Sequence, residues 1–219
     1  MNLADMISHQ ARRRPGHPAI VEADDVISYG ELDPLVRGAA SWLMDKGARA
    51  GDVVGLALSD TSDHLIAHYA VARMGGIILP IDWRWTAYEK RRIAQYFGAT
   101  LVLVETAGEL DNGVAIDASW RDQLNTADLV REFPTDGDAP VVLSLSSGTT
   151  GRPKGPVLSH GQFLARWITQ SVTLTFAEHD RYLNAIPLYF GGGRSFSMSA
   201  LYTGATVILF PPPYEPKEL

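Results

Sequence analysis

The sequence predicts an α/β fold with a mainly parallel sheet flanked by helices, and three observations carry that reading. Short apolar runs rich in β-branched residues, such as Val53 to Leu58, Ile77 to Ile81 and Val141 to Leu143, have the length and composition of buried strands. Between them lie stretches whose apolar residues recur at helical spacing, as in Leu32, Leu35, Val36, Ala39, Ala40 and Leu43. The two kinds of segment alternate along the chain, which is the pattern of βαβ units and so of parallel pairing.

Taken in order, Leu3, Ile7 and Ala11 mark a first helix that stops at Pro15-Gly16. Arg12, Arg13 and Arg14 fall at its C-terminal end, where cations suit the helix dipole. Ala19 to Val21 and Val26-Ile27 flank Asp24-Asp25 as a short hairpin. Ser28 with Glu31 is a capping box that opens the second helix; Pro34 falls in its first turn or so, and Gly47 ends it. After the strand Val53 to Leu58, Asp60 to Ser62 offer caps for a helix through Leu65, Tyr69, Ala72 and Met74, closed by Gly75-Gly76. Ile77 to Ile81 reads as strand, Thr86 to Phe97 as helix, and Leu101 to Val104 and Val114 to Ile116 as short strands. Trp120 to Leu124 and Ala127 to Arg131 read as short helices, and Pro134 to Pro140 as a polar connector. Ser159 caps a helix holding Phe163, Leu164, Trp167 and Ile168. Tyr182 to Ile186 is strand-like, Ser195 to Tyr202 helical and Ala205 to Phe210 strand, before Pro211-Pro212-Pro213 interrupts regular structure.

Bulk composition narrows the function. The 219 residues, 46% hydrophobic and 20% charged, suit a globular protein with a real core. A net charge of −6 without a basic stripe argues against a nucleic-acid partner. With no cysteine there are no disulfides, thiol nucleophiles or Cys-ligated zinc. No apolar run is long enough to span a membrane, and the first residues lack a signal-peptide pattern, so a cytoplasmic location is expected.

The stretch Val141 to His160, VVLSLSSGTTGRPKGPVLSH, carries the chemistry. A strand runs into Ser146, Ser147, Gly148, Thr149, Thr150 and Gly151, then Arg152, Pro153, Lys154 and Gly155. Glycines let backbone approach a ligand, successive N–H groups cup an anion, and hydroxyls with Lys154 add donors and charge. Such a loop is suited to phosphate; its plain alternative is a surface linker. It is not a Walker loop, because Pro153 and Gly155 stand where that pattern needs Gly and Ser or Thr. The G-x-S-x-G elbow is absent, and Gly151 rather than Ser lies three before Lys154, which removes the Ser-x-x-Lys hydrolases.

SSGTTGRPKG (Ser146 to Gly155) closely resembles the signature of the adenylate-forming superfamily of acyl-CoA synthetases, luciferases and peptide-synthetase adenylation domains. ISYGEL (Ile27 to Leu32), RMGGIILPID (Arg73 to Asp82) and NAIPLYFGGG (Asn184 to Gly193) resemble three further motifs in the family's order. The resemblance implies ATP-dependent activation of a carboxylic acid to acyl-AMP and then acyl-CoA, with ATP, Mg²⁺ and CoA as cofactors. It assigns Ser146, Ser147, Gly148, Thr149, Thr150, Gly151 and Lys154 to the phosphates of ATP. It assigns Tyr189, Phe190, Gly191 and Gly192 to the carboxylate-substrate pocket, where they would suit an apolar or aromatic acyl group; a helix start packed by two aromatics is the plain alternative. Phe190 stands where the family commonly has His, and Pro156 where it commonly has an apolar residue with a free N–H. A peptide-synthetase adenylation domain is the rival, disfavoured because Gly191 rather than Asp follows Phe190; a non-catalytic phosphate-binding module is another.

By the same resemblance, the chain is expected to be a truncated N-terminal AMP-binding domain over 1–219, with the metal carboxylate, ribose carboxylate, adenine platform and small C-terminal domain absent. As such it is expected to be inactive alone and to self-associate through uncovered apolar surface. No residue is assigned as catalytic or as a metal ligand. His64 and His68 lie four apart on a helix but lack a third ligand, so they are expected on the surface or in the core. His160 is expected in the first turn of its helix, and Trp83 and Trp85 as packing residues.

Overall fold

The structure, a computed structural model, describes residues 1–125, 133, 136–145 and 155–210. The elements are α1 (Asp5–Arg13), β1 (Pro18–Glu22), β2 (Asp25–Ser28), α2 (Tyr29–Asp45), β3 (Val53–Leu56), α3 (Ser62–Arg73), β4 (Ile77–Pro80), α4 (Ala87–Tyr96) and β5 (Ala99–Val104). Then follow β6 (Gly113–Ala115), α5 (Trp120–Asn125), β7 (Pro140–Leu143), β8 (Val157–Ser159), α6 (His160–Thr173), β9 (Arg181–Asn184), α7 (Gly191–Thr203) and β10 (Thr206–Leu209). The helix expected over Ala127 to Arg131 lies outside the described residues.

Parallel pairing dominates, but it is divided between two sheets where the sequence suggests one. The first has the order β2-β1-β10-β9 and the second β6-β5-β3-β4-β7-β8. Each carries one antiparallel edge strand, β2 and β8. The division is invisible locally because β1 pairs with β10, Ile20 opposite Val207, across most of the chain.

Helix α3 touches β1 of the first sheet and β3 and β4 of the second, and all of it but Asp63 is buried. A helix enclosed on every side needs no amphipathic stripe, which is why Leu65, Ile66, Ala67, Tyr69, Ala70 and Val71 run almost without interruption. The main core joins both sheets through it, and a smaller cluster of Leu79, Ile81, Ile93, Val102 and Val104 lies beneath α4.

Capping boxes form at Ser28, Thr86 and Ser159, with Glu31, Glu89 and Gln162 as the reciprocal partners. The hairpin turn lies at Ala23-Asp24, with Ala23 at φ 50°, because Asp25 already belongs to β2. Pro34 sits in the second turn of α2 rather than the first, inside the helix. Buried Arg73 ties three helices together: its Nη2 donates to the Ala4 carbonyl (2.7 Å), Ser8 Oγ (2.7 Å) and Asp33 Oδ1 (3.2 Å). Among the described residues, no helix is long and apolar enough to cross a membrane.

Candidate active site

Strands β3, β4, β5 and β7 run parallel, so their carboxyl ends share one edge of the second sheet. Open α/β sheets take ligands at that edge. Ser146, Ser147, Gly148, Thr149, Thr150, Gly151 and Lys154 leave from the end of β7 and lie outside the described residues. Their two limbs are described. The Ser144 N–H donates to the Pro156 carbonyl at 2.9 Å, and Val157 pairs with Leu143 across β7 and β8. Pro156 lacks an N–H, but its carbonyl closes this neck. Helix α6 begins immediately after, under the Ser159 cap.

The second stretch leaves the carboxyl end of β9 in the other sheet and is gripped from several sides. Asp60, just beyond β3, accepts the Leu188 N–H at Oδ1 (2.5 Å). Arg84, beyond β4, holds Asp82 bidentately (2.9 and 2.7 Å) and donates to the Tyr189 hydroxyl at 2.6 Å. Its guanidinium also lies 5.5 Å from the centre of the Tyr189 ring. Arg194 of α7 donates through Nη1 to the Tyr189 carbonyl at 2.8 Å. Since β4 is also the neighbour of β7, the neck of the Ser/Thr/Gly loop and the grip on Tyr189 adjoin the same strand.

Phe190 is the N-cap residue of α7 and 62% exposed, its ring perpendicular to that of Tyr189 with centroids 6.3 Å apart. Gly191 and Gly192 form the first helical turn, four residues ahead of the start expected from the sequence. Gly193 explains the early start. A Cβ there would collide with the carbonyl oxygens of Ile186 and Pro187, so only glycine lets the helix begin against that backbone.

The charges around this grip are shaped by environment. Burial raises the Asp60 carboxyl above its usual range, and the Leu188 N–H opposes that shift. Burial acts the same way on Asp82, but the Arg84 hydrogen bonds outweigh it and hold the carboxyl low. The Tyr189 hydroxyl is pushed up by burial and by Asp82. Sequence motifs do not single out Asp60, Arg84 or Arg194 as site residues. Arg194 directly follows one motif and Arg84 lies two residues past another, which is the signal that could have found them, whereas Asp60 reads only as a helix cap.

Other candidates are structural. His160 is buried in the first turn of α6, its Nδ1 accepting the Leu3 N–H at 3.1 Å, and burial lowers its pKa to about 4. His64 and His68 are buried in the core on α3 with ring centres 5.6 Å apart. Trp85 is 38% exposed, while Trp83 lines a cleft of about 510 Å³ with Ala57, Lys90, Glu105 and Glu109, where Lys90 and Glu109 pair at 2.6 Å.

The family described as AMP-binding enzyme matches residues 7–219. The chain belongs to this family. Among curated relatives, the chain is 29% identical over 231 residues to indoleacetate–CoA ligase of Aromatoleum aromaticum, covering 96% of this chain and 45% of that protein. It is 31% identical over 166 residues to phosphinothricin tripeptide synthetase PhsC of Streptomyces viridochromogenes, covering 72% of this chain and 15% of that one. The chain thus spans less than half the length of these relatives. Its fold matches the inhibitor-bound N-terminal domain of FACL13 from Mycobacterium tuberculosis, with a TM-score of 0.89 at 23% identity, covering 99% of this chain and 58% of that one.

Proposed function

We propose that this chain is the ATP- and acid-binding part of an acid–thiol ligase, which activates a carboxylic acid as acyl-AMP and passes the acyl group to CoA. The observation that carries the reading is convergence at β4: the Ser/Thr/Gly loop leaves β7, the neighbour of β4, and Arg84 just beyond β4 grips Tyr189 from the other sheet. ATP supplies an electrophilic α-phosphorus, with Mg²⁺ to balance charge. Ser146 to Lys154 would hold the β- and γ-phosphates, and Tyr189, Phe190, Gly191 and Gly192 would form one wall for the acyl group. Chemistry of this kind relies on positioning and charge stabilisation more than on a protein nucleophile, which suits a loop of donors and cations. The peptide-synthetase reading is weaker because Gly191, not an acidic residue, follows Phe190.

The test is carboxylate-dependent exchange of labelled pyrophosphate into ATP by these 219 residues and by a protein of the relatives' full length. Exchange is expected in the longer protein and to fall ~10²-fold or more with Lys154→Ala. ATP binding without exchange on a broad acid panel would instead favour a phosphate-binding module. These residues alone are also expected to self-associate, because Ile168 and Val172 on α6, Leu174 at its end and Leu183 on the edge strand β9 leave apolar side chains in water. A monomer in sedimentation at high concentration would refute that.

A further inference from the structure

Behind the first turn of α7 lies a buried cation that faces no carboxylate among the described residues. Arg194 is 3% exposed, and the single hydrogen bond of its side chain among the described residues goes to the Tyr189 carbonyl; its Nε has no partner. The charged and titratable groups that act on it or feel it are cationic or basic: Arg166 on α6, His64 and His68 on α3. Asp60, the nearby acid, turns instead to the Leu188 N–H. Buried guanidinium groups are strongly disfavoured unless an anion compensates them.

Further buried polar atoms without partners lie on α7 and on the facing helix α3. Ser197, one turn along α7 from Arg194, is fully buried with no partner for its hydroxyl. His68 has none for either ring nitrogen, and it lines a small gap together with Met198 of α7, so the two helix faces oppose each other. His64 donates or accepts only at Nδ1, toward the Ser59 carbonyl at 3.1 Å. The cluster also adjoins the candidate acyl wall. A Cβ built on Gly191 would lie 4.0 Å from Arg194 Nη2, so a group resting on that open glycine reaches the guanidinium.

We propose that Arg194, with Ser197 and His68, is a specificity-determining receptor for a second carboxylate, and that the acid taken by this site is dicarboxylic. The inference rests on the acyl-pocket reading above: an apolar or aromatic body lies over Phe190 and Gly191, and the far carboxylate meets Arg194.

Two measurements separate this inference from that reading. In the first, succinate, glutarate and adipate are added to the 219-residue protein with ¹⁵N-labelled histidine, against butanoate, pentanoate and hexanoate. The diacids shift the His64 and His68 ring signals, the monoacids do not, and Arg194→Met abolishes the response. In the second, pyrophosphate exchange in a protein of the relatives' full length favours a diacid over its matched monoacid by ~10²-fold or more in kcat/KM, because a site built for a polar group rejects the analogue lacking it. Arg194→Met collapses that ratio, and Arg194→Lys, which keeps the charge, retains part of it. Ring shifts that depend on Arg194, without exchange on any acid, uphold the receptor and sink the ligase reading. Monoacids preferred or equal, a ratio unmoved by Arg194→Met, or no diacid-specific shift overturns the proposal.

Discussion

At the scale of single residues, the site is held by backbone contacts that leave almost no room for substitution. Gly193 lies against two carbonyl oxygens, and any side chain must push α7 away from the segment that carries Tyr189. Gly193→Ala is therefore expected to destabilise the fold by about 2–3 kcal/mol, the upper range for overpacking, read from the urea midpoint. An unchanged midpoint would mean that α7 can slide. Arg73 gives a second case. Arg73→Met removes the buried donor shared by Ala4, Ser8 and Asp33 and leaves Asp33 with Arg37 and Ser8 alone, so a loss of about 1–3 kcal/mol is expected. Calorimetry of Arg73→Met beside Asp33→Asn gives the check, because the double variant should recover part of the loss.

At the scale of elements, capping chemistry is the most legible feature in the sequence, and long-range pairing the least. Ser28 with Glu31 announces α2 because both halves of a capping box are local in sequence. Ser159→Ala should cost about 1 kcal/mol and fray the start of α6 beside the neck of the loop. Hydrogen exchange at Gln162 and Phe163 reports it. By contrast, the start of α7 is hidden because three glycines in a row read as loop, and only the carbonyls of Ile186 and Pro187 explain why they are helical. Strand β8 is hidden too, because Val157-Leu158-Ser159 offers two apolar residues that run straight into the cap of α6. The candidate site divides in the same way. Its motif residues are visible as letters, whereas Asp60, Arg84 and Arg194 come from three separate stretches of chain and converge only in the fold.

At the scale of the whole molecule, buried histidines tie stability to pH. Burial lowers His64 and His160 to about 4, and lowers His68 well below its ordinary value. These rings stay neutral in the fold while the unfolded chain takes up protons near pH 6.5, so the unfolded state binds more protons between those values. Stability should thus fall as pH drops from about 6.5 towards 4, each ring adding up to ~1.4 kcal/mol per pH unit. Urea midpoints at pH 7.5, 6 and 5 give the slope, and a flat series would contradict the burial of these rings. The pairing of β1 with β10 has its own consequence during synthesis. Ile20 emerges early, but its partner Val207 is made 187 residues later, on the order of ten to forty seconds at cellular elongation rates. Through that interval the β1–β2 hairpin must wait with one flank unpaired, a temporary template for any passing strand. Slowed translation of the last fifty or so residues should therefore raise the aggregated fraction of nascent chains without altering the stability of those that finish.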